Sequence, residues 1–472
     1  MKSIDLLEAR ETKEEEIEKL KLDQAVYEES GKNPVIISVV VPTFNNGSKL
    51  YIETLQLVLK QMGELIDIGA IDELVIVDGS RDKDGNTDYG FITYMLALCI
   101  KYCKTFSNEV NFVKSMPEGK QRSMQGRFDF SVRFLSQLDP LLHQILLERK
   151  ILTQSEVEFL KRGKGAGMWY SVPVTYGNII CFFDSDIRSF QNFYVSSLCK
   201  PILESWNSDT KTHTQNPDII FSKAIYTRKT ERPEGVTLGG RVSRIIALPV
   251  FRSLAKMGFF KGIEEIDYPL SGECAFSLDA LKMIQFSNGY DIETSVLCQV
   301  WKEFGMGRVA LVDFGLYEHI PGSEEHIRKI MLDFVSALKY WSERYNMHIN
   351  PKTLAESYET EAYKMFAERA ARASKLADIQ YGDKEKTADE KRLKEFLAML
   401  KQDWDKAELP KLLRPWKEIE EKTNKDPAYS YQALKLSLRK RINKLTSDII
   451  LSSIYVDKSD DIIKKYSGVH GP

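Results

Sequence analysis

Residues 35–44 read VIISVVVPTF, and residues 72–80 read DELVIVDGS. Both are continuous runs of β-branched and apolar residues, the pattern of strands buried on both faces of a parallel sheet. Pro42 and the turn-forming FNNGS close the first run. Between the two lies KLYIETLQLVLKQMGEL, whose apolar residues recur at helical spacing. Strand, helix, strand is the unit from which a parallel α/β sheet is built. NIICFFDSD (178–186) and DIIFSKAIYTRK (218–229) supply further strands, and another ends in DFGLYEHIPG (313–322).

Outward from these strands the pattern changes. Residues 1–33 predict a polar helix with Glu-to-Lys pairs in EEEIEKLKL, and residues 89–160 predict a helical insertion. From 325 to 472 amphipathic stretches such as HIRKIMLDFVSALKYWSERY and ADEKRLKEFLAMLKQDWDKAELPKLL predict a helical region that packs on the catalytic part or forms a dimer interface. The expected organisation is therefore an extension (1–33), an α/β domain (34–324) and a helical region (325–472).

Composition narrows the class of function. Across 472 residues, 66 Lys plus Arg nearly balance 68 Asp plus Glu, so no global field favours nucleic acid or an anionic membrane. No apolar run reaches the length of a membrane span, and the charged amino terminus has no secretory h-region. The six cysteines are scattered through apolar runs without zinc spacing, which predicts reduced core thiols and a cytoplasmic location.

In open α/β sheets ligands bind outside the carboxyl ends of the strands. Three strand ends carry polar clusters: Thr43-Phe44-Asn45-Asn46, Asp78-Gly79-Ser80-Arg81 and Asp184-Ser185-Asp186. The loop DGSRDKDGNTD fails as a calcium loop, because its twelfth position from Ser80 is Phe91 rather than Glu. It reads as an acidic turn or a base contact. D-x-D after a strand has two functional readings: an aspartyl phosphatase with Asp184 as nucleophile, or a site that holds a divalent cation on a nucleotide-sugar diphosphate. Against the first, Arg188 stands where that motif carries Thr or Val, and two strands precede it.

Other segments add candidates. GKGAGMWYS (163–171) sets Lys164 between glycines, short of a Walker A loop but able to approach a phosphate. TLGGRVS (237–243) places Arg241 and Ser243 as an anion cradle. Glu273 and Glu293 follow glycines in YPLSGECAFS and SNGYDIETSV, and His319 at a strand end is a candidate third metal ligand.

Taken together, G-K-G-x-x-x-W, D-x-D, G-G-R-V-S, P-L-x-G-E, G-Y-x-x-E-T and a strand-end His resemble the glucosyl-3-phosphoglycerate synthases, retaining GT-A glycosyltransferases, over roughly residues 35–325. The resemblance implies a GT-A (Rossmann-like), mixed and mostly parallel sheet flanked by helices. It implies a nucleoside-diphosphate sugar donor (UDP-glucose or a GDP-sugar), Mg²⁺ or Mn²⁺, and 3-phosphoglycerate as acceptor; a homodimer is expected from the helical region. Carried onto this chain, Thr43, Phe44, Asn45, Asn46, Asp78 and Ser80 would hold base and ribose, and Lys164, Asp184 and Ser185 the nucleotide side. Asp186 and His319 would bind the metal, and Glu273 the sugar. Arg241, Ser243 and Tyr290 would bind the acceptor, with Asp186, Glu293 and Arg241 the residues that carry the chemistry. The chain departs from the family in T-F-N-N, in Ile320-Pro321 after the histidine, and in the long stretch between Ser80 and Lys164. Mannosyl transfer, glycerate or another small anion as acceptor, and a non-catalytic nucleotide-binding homologue are the alternatives.

Overall fold

The computed structural model describes residues 2–5, 35–124, 126–161, 163–206, 218–232, 235–320, 322–376, 379–425, 430–452, 462–463 and 466. Its strands are β1 (Lys2–Asp5), β2 (Ile37–Thr43), β3 (Glu73–Asp78), β4 (Val132–Ser136), β5 (Ile179–Phe182), β6 (Phe221–Arg232), β7 (Gly235–Leu238), β8 (Cys274–Ser277), β9 (Val309–Glu318) and β10 (Ile379–Gln380). Packing groups the chain into two units, each drawn from separate stretches. One comprises 12–209, 275–284 and 414–472, and the other 1–11, 210–274 and 285–413.

The first unit is built on four parallel strands in the order β5-β2-β3-β4. Val39, Val40, Val41 and Val75–Val77 are fully enclosed, as their unbroken apolar run requires. The β2–β3 register sets Thr43 beside Asp78, so two of the polar clusters emerge side by side at one sheet edge. Helix Lys49–Asp67 follows β2, capped by the Ser48 side chain, which accepts from the Tyr51 amide.

The last stretch of the chain is part of this same unit. Helix Tyr431–Leu451 lies along β4, where the Phe134 amide donates to the Thr446 hydroxyl at 3.2 Å. Trp416 stacks on Trp169 with centroids 4.4 Å apart and donates from Nε1 to its carbonyl at 2.8 Å. Strand β4 with its helix covers what would otherwise be an open sheet edge.

The second unit holds β1, β9 and β6 as parallel neighbours, with β7 antiparallel to β6 and β10 parallel to β7. Helices Glu324–Arg344, Pro351–Ala373 and Asp383–Gln402 belong to it. Both units are α/β, and the strands are mostly parallel, as the sequence predicts.

Three local expectations are corrected. Residues 2–5 form a strand paired with β9 rather than the start of a helix, and the rest of the 1–33 extension lies outside the described residues. The 89–160 stretch is not wholly helical, since VRFLS within it is β4. Five residues enclosed on both faces lack the alternation that would separate them from neighbouring helices. GKGAGMWYS, whose Gly-Lys-Gly taken alone reads as a flexible surface turn, is the helix Lys164–Ser171, buried from Gly165 onward. A Cβ at Gly167 would lie 2.6 Å from Gln137 Nε2 and 3.0 Å from Val77, so this glycine permits close helix–strand packing.

All six cysteines are buried thiols. Among the described residues no helix is long and apolar enough to cross a membrane.

Candidate active site

In the first unit, the ends of β2 and β3 are tied together. Asp78 is almost fully enclosed, and its Oδ1 accepts from Thr43 Oγ1 at 3.0 Å and from Ser80 Oγ at 2.7 Å. Its Oδ2 accepts from the Ser80 amide at 3.1 Å, while Ser80 Oγ accepts from the Asn45 amide at 2.7 Å. Burial pushes the Asp78 carboxyl up to about 7, against these hydrogen bonds from Ser80 and Thr43. Asp78 thus faces into the protein, and what it does directly is hold the Thr43–Ser80 loops in one arrangement.

Of the same cluster, Phe44 is 60% exposed, a large apolar side chain at the sheet edge. Asn45 Oδ1 accepts from the Gly47 amide at 3.0 Å and Asn46 Oδ1 from the Ser48 amide at 2.9 Å, which shapes the FNNGS turn. The Phe44 amide donates to the Tyr51 hydroxyl at 3.2 Å, and that hydroxyl lies 3.0 Å from Ser185 Oγ. Tyr51 therefore links the β2 loop to the D-S-D segment. Burial drives its hydroxyl far above the usual range, so it stays neutral.

Asp184 and Asp186 are partly exposed at the end of β5, whereas Ser185 between them is buried. Lys164, the first residue of its helix, places Nζ 2.5 Å from Asp184 Oδ1. Lys164 and Asp184, twenty residues apart in sequence, thus meet as an ion pair in the unit that carries the clustered strand ends. An acid at this position attracts a cation, and two carboxylates one residue apart supply hard oxygen donors of the kind Mg²⁺ and Mn²⁺ take.

The second unit carries the remaining candidates. His319 follows directly on β9 and is buried, with Nε2 3.6 Å from Glu273 Oε1. Glu273 is fully enclosed and accepts from the Tyr226 hydroxyl at 3.0 Å. Tyr226 stacks on Tyr317, ring centroids 4.2 Å apart. The carbonyl of Ile320 accepts from Arg228 at 3.1 Å, and Pro321 lies outside the described residues.

Arg241 closes the GGR turn. Its Nε lies 3.1 Å from Asp389 Oδ1. The neighbouring Gly240 has φ +67°, and a Cβ there would strike the Tyr268 ring at 2.5 Å, so only glycine fits. Ser243 is buried, and its hydroxyl accepts from the Leu270 amide at 3.0 Å. Nearby, burial would raise the Asp267 carboxyl, but Arg244 and Arg372 outweigh it and hold it down to about 2. Tyr290 donates its amide to Asp333 at 3.2 Å and packs edge-on against His326, while Glu293 lies in the first turn of helix Ile292–Gln299.

Sequence reasoning missed several of these contacts. Tyr51 and Tyr226 look like ordinary apolar positions within a helix and a strand. Asp389 sits in ADEKRLKE, where its charge reads as part of a solvated face. Asp291, between Tyr290 and Glu293, is buried and pushed up to about 7 by that burial, with Asp333 and Glu293 adding repulsion. Only its place beside two chosen residues hinted at it.

No family model matches the chain. Among curated proteins, glucosyl-3-phosphoglycerate synthase of Petrotoga mobilis is 30% identical over 186 residues, 39% of this chain and 52% of that protein. The enzyme of the same name from Mycobacterium tuberculosis is 26% identical over 297 residues, 62% of this chain and 68% of that protein. The chain thus spans about half the length of the first relative and about two thirds of the second. Among solved structures, the Mycobacterium tuberculosis synthase in complex with Mn²⁺, UDP and glucosyl-3-phosphoglycerate has 22% identity and a TM-score of 0.43, covering 67% of this chain and 83% of that one. By sequence, the chain is similar to the glucosyl-3-phosphoglycerate synthases over part of its length.

Proposed function

We propose that the chain is a retaining GT-A glycosyltransferase that moves a hexosyl group, glucose, from a nucleoside-diphosphate sugar to 3-phosphoglycerate or a related small anionic acceptor. The observation that carries this reading is the D-S-D end of β5 with Lys164 paired to Asp184, in a chain whose sequence relatives bear the name of that synthase.

In this reading Phe44, Asn45 and Asn46 meet base and ribose, while Thr43, Asp78 and Ser80 hold that loop in place. Ser185, tied to Tyr51, fixes the spacing between the β2 loop and the two acids. Lys164 moves from Asp184 toward the diphosphate and balances its charge as the glycosidic bond breaks. Asp186, after β5, and His319, after β9, would hold Mg²⁺ or Mn²⁺, a donor set of carboxylate and imidazole that suits Mn²⁺ well. When bound, the ion supplies charge neutralisation on the leaving diphosphate. Arg241 and Ser243 would bind the acceptor phosphate, Tyr290 and Glu293 would orient the acceptor and sugar, and Glu273 would shape the sugar side from behind. Retention follows from attack on the face from which the diphosphate departs, with the acceptor proton passing to the leaving phosphate oxygen.

We further propose a cytoplasmic location and a homodimer, and light scattering of the purified chain tests the dimer directly. The enzymatic reading is tested by a mass-spectrometric screen of UDP-glucose, GDP-glucose and GDP-mannose against 3-phosphoglycerate, glycerate and glycerol phosphate. A hexosyl adduct of one acceptor supports it. Nucleotide binding without any adduct would leave a non-catalytic homologue.

A further inference from the structure

The geometry points to Asp389 as the positioning residue that sets the Arg241 guanidinium for an anionic acceptor; this inference rests on the acceptor role proposed above for Arg241. Asp389 lies in helix Asp383–Gln402 and is fully enclosed. Its two oxygens serve two arginines: Oδ1 is 3.1 Å from Arg241 Nε, and Oδ2 is 3.1 Å from Arg369 Nε. The Tyr381 hydroxyl donates to Oδ2 at 3.1 Å. Arg369, itself buried, reaches the same turn from the other side, donating to the carbonyls of Leu238 at 3.0 Å and Gly239 at 3.2 Å.

One carboxylate and one guanidinium therefore grip both parts of the turn that presents Arg241. Arg369 fixes its backbone, and Asp389 fixes the side chain at its end. A single buried acid between two guanidiniums draws both toward itself, and the low dielectric of the interior makes that orientation stiff. A guanidinium recognises phosphate or carboxylate through a planar fork, so its angle decides how well it binds. Asp389 and Arg369 belong to helices far downstream of the GGR segment, in the region whose sequence predicted helices that pack on the catalytic part or form a dimer interface. In this account those helices build part of the acceptor-recognition apparatus.

The test compares Asp389→Asn, Tyr381→Phe and Arg241→Ala in steady-state kinetics with UDP-glucose and 3-phosphoglycerate, each variant checked for a wild-type melting profile. Asp389→Asn keeps the shape but removes the charge. The expected result is a rise of about tenfold in the 3-phosphoglycerate KM, with the UDP-glucose KM within about twofold of wild type. Tyr381→Phe leaves the ion pairs and should raise the acceptor KM about threefold, which keeps the test readable if the buried Asn variant does not fold. A purely structural role would move both KM values together, and that result overturns the proposal. Arg241→Ala separates the two levels of the reading. If it raises the acceptor KM strongly while the Asp389 and Tyr381 variants do not, the positioning role is wrong and the acceptor site stands. If Arg241→Ala leaves the acceptor KM unchanged, the acceptor reading fails and the positioning role falls with it.

Discussion

Asp78 offers the sharpest quantitative test of how the strand ends are built. Its carboxyl ordinarily ionises near 3.8 and in the fold near 7, because burial outweighs the hydrogen bonds from Ser80 and Thr43. Between those values the folded protein keeps a proton that the unfolded chain has lost. Stability must then fall as pH rises, by about 1.4 kcal/mol per pH step and about 4 kcal/mol over the whole window. Above pH 7 the loss levels off, since both states are ionised. Asp78→Asn removes the titration but keeps an acceptor for Thr43 and Ser80, at a pH-independent cost of about 1 kcal/mol for the hydrogen bond it no longer accepts. The assay is thermal unfolding of wild type and variant at pH 5 and pH 7. Over that interval wild type should lose about 2 kcal/mol that the variant does not, or about 4–8 °C in melting temperature for a unit of this size. Other titrating groups cancel in the comparison. If the two proteins shift in parallel with pH, the buried, protonated Asp78 described above is wrong.

Other perturbations follow from the same geometry. Lys164→Met removes the cation beside Asp184, and the UDP-glucose KM should rise about tenfold or more while the acceptor KM changes little. Glu73→Ala strips the buried partner of Arg133, whose guanidinium is fully enclosed and is pushed down to about 9 by burial. It also leaves the Ser38 hydroxyl and the Tyr176 amide without their acceptor, so a loss of about 3–5 kcal/mol is expected in urea unfolding. Gly167→Ala drives a methyl group into Gln137 and Val77, and should cost about 1–3 kcal/mol by the same assay, with the helix bearing Lys164 displaced.

The central strands were legible because burial on both faces leaves no ambiguity in composition. VIISVVVPTF and DELVIVDGS became β2 and β3, and the polar residues after them lie together at one sheet edge because parallel strands in this register must end together. Position at the edge could be read in advance, but orientation could not. Whether Asp78 points to a ligand or inward depends on Thr43 and Ser80, whose hydroxyls supply donors that no spacing reveals. The glycines around Lys164 pointed to a close approach to phosphate, yet Gly167 answers to the side chains of Val77 and Gln137, far away in sequence. Strand β4 was hidden by its brevity among helices. Asp389 was hidden by its neighbours, because a charged helix face looks alike in sequence whether one of its acids is solvated or clasped between two arginines.

The most direct test of the account is the reaction itself, run with UDP-glucose, 3-phosphoglycerate and Mn²⁺, with wild type and Asp186→Asn compared by mass spectrometry. Wild type should release UDP and form a glucosylated phosphoglycerate in equal amounts, and Asp186→Asn should form at least about a hundredfold less per unit time. Inorganic phosphate from 3-phosphoglycerate without any glucosylated product, or undiminished transfer by Asp186→Asn, would contradict it.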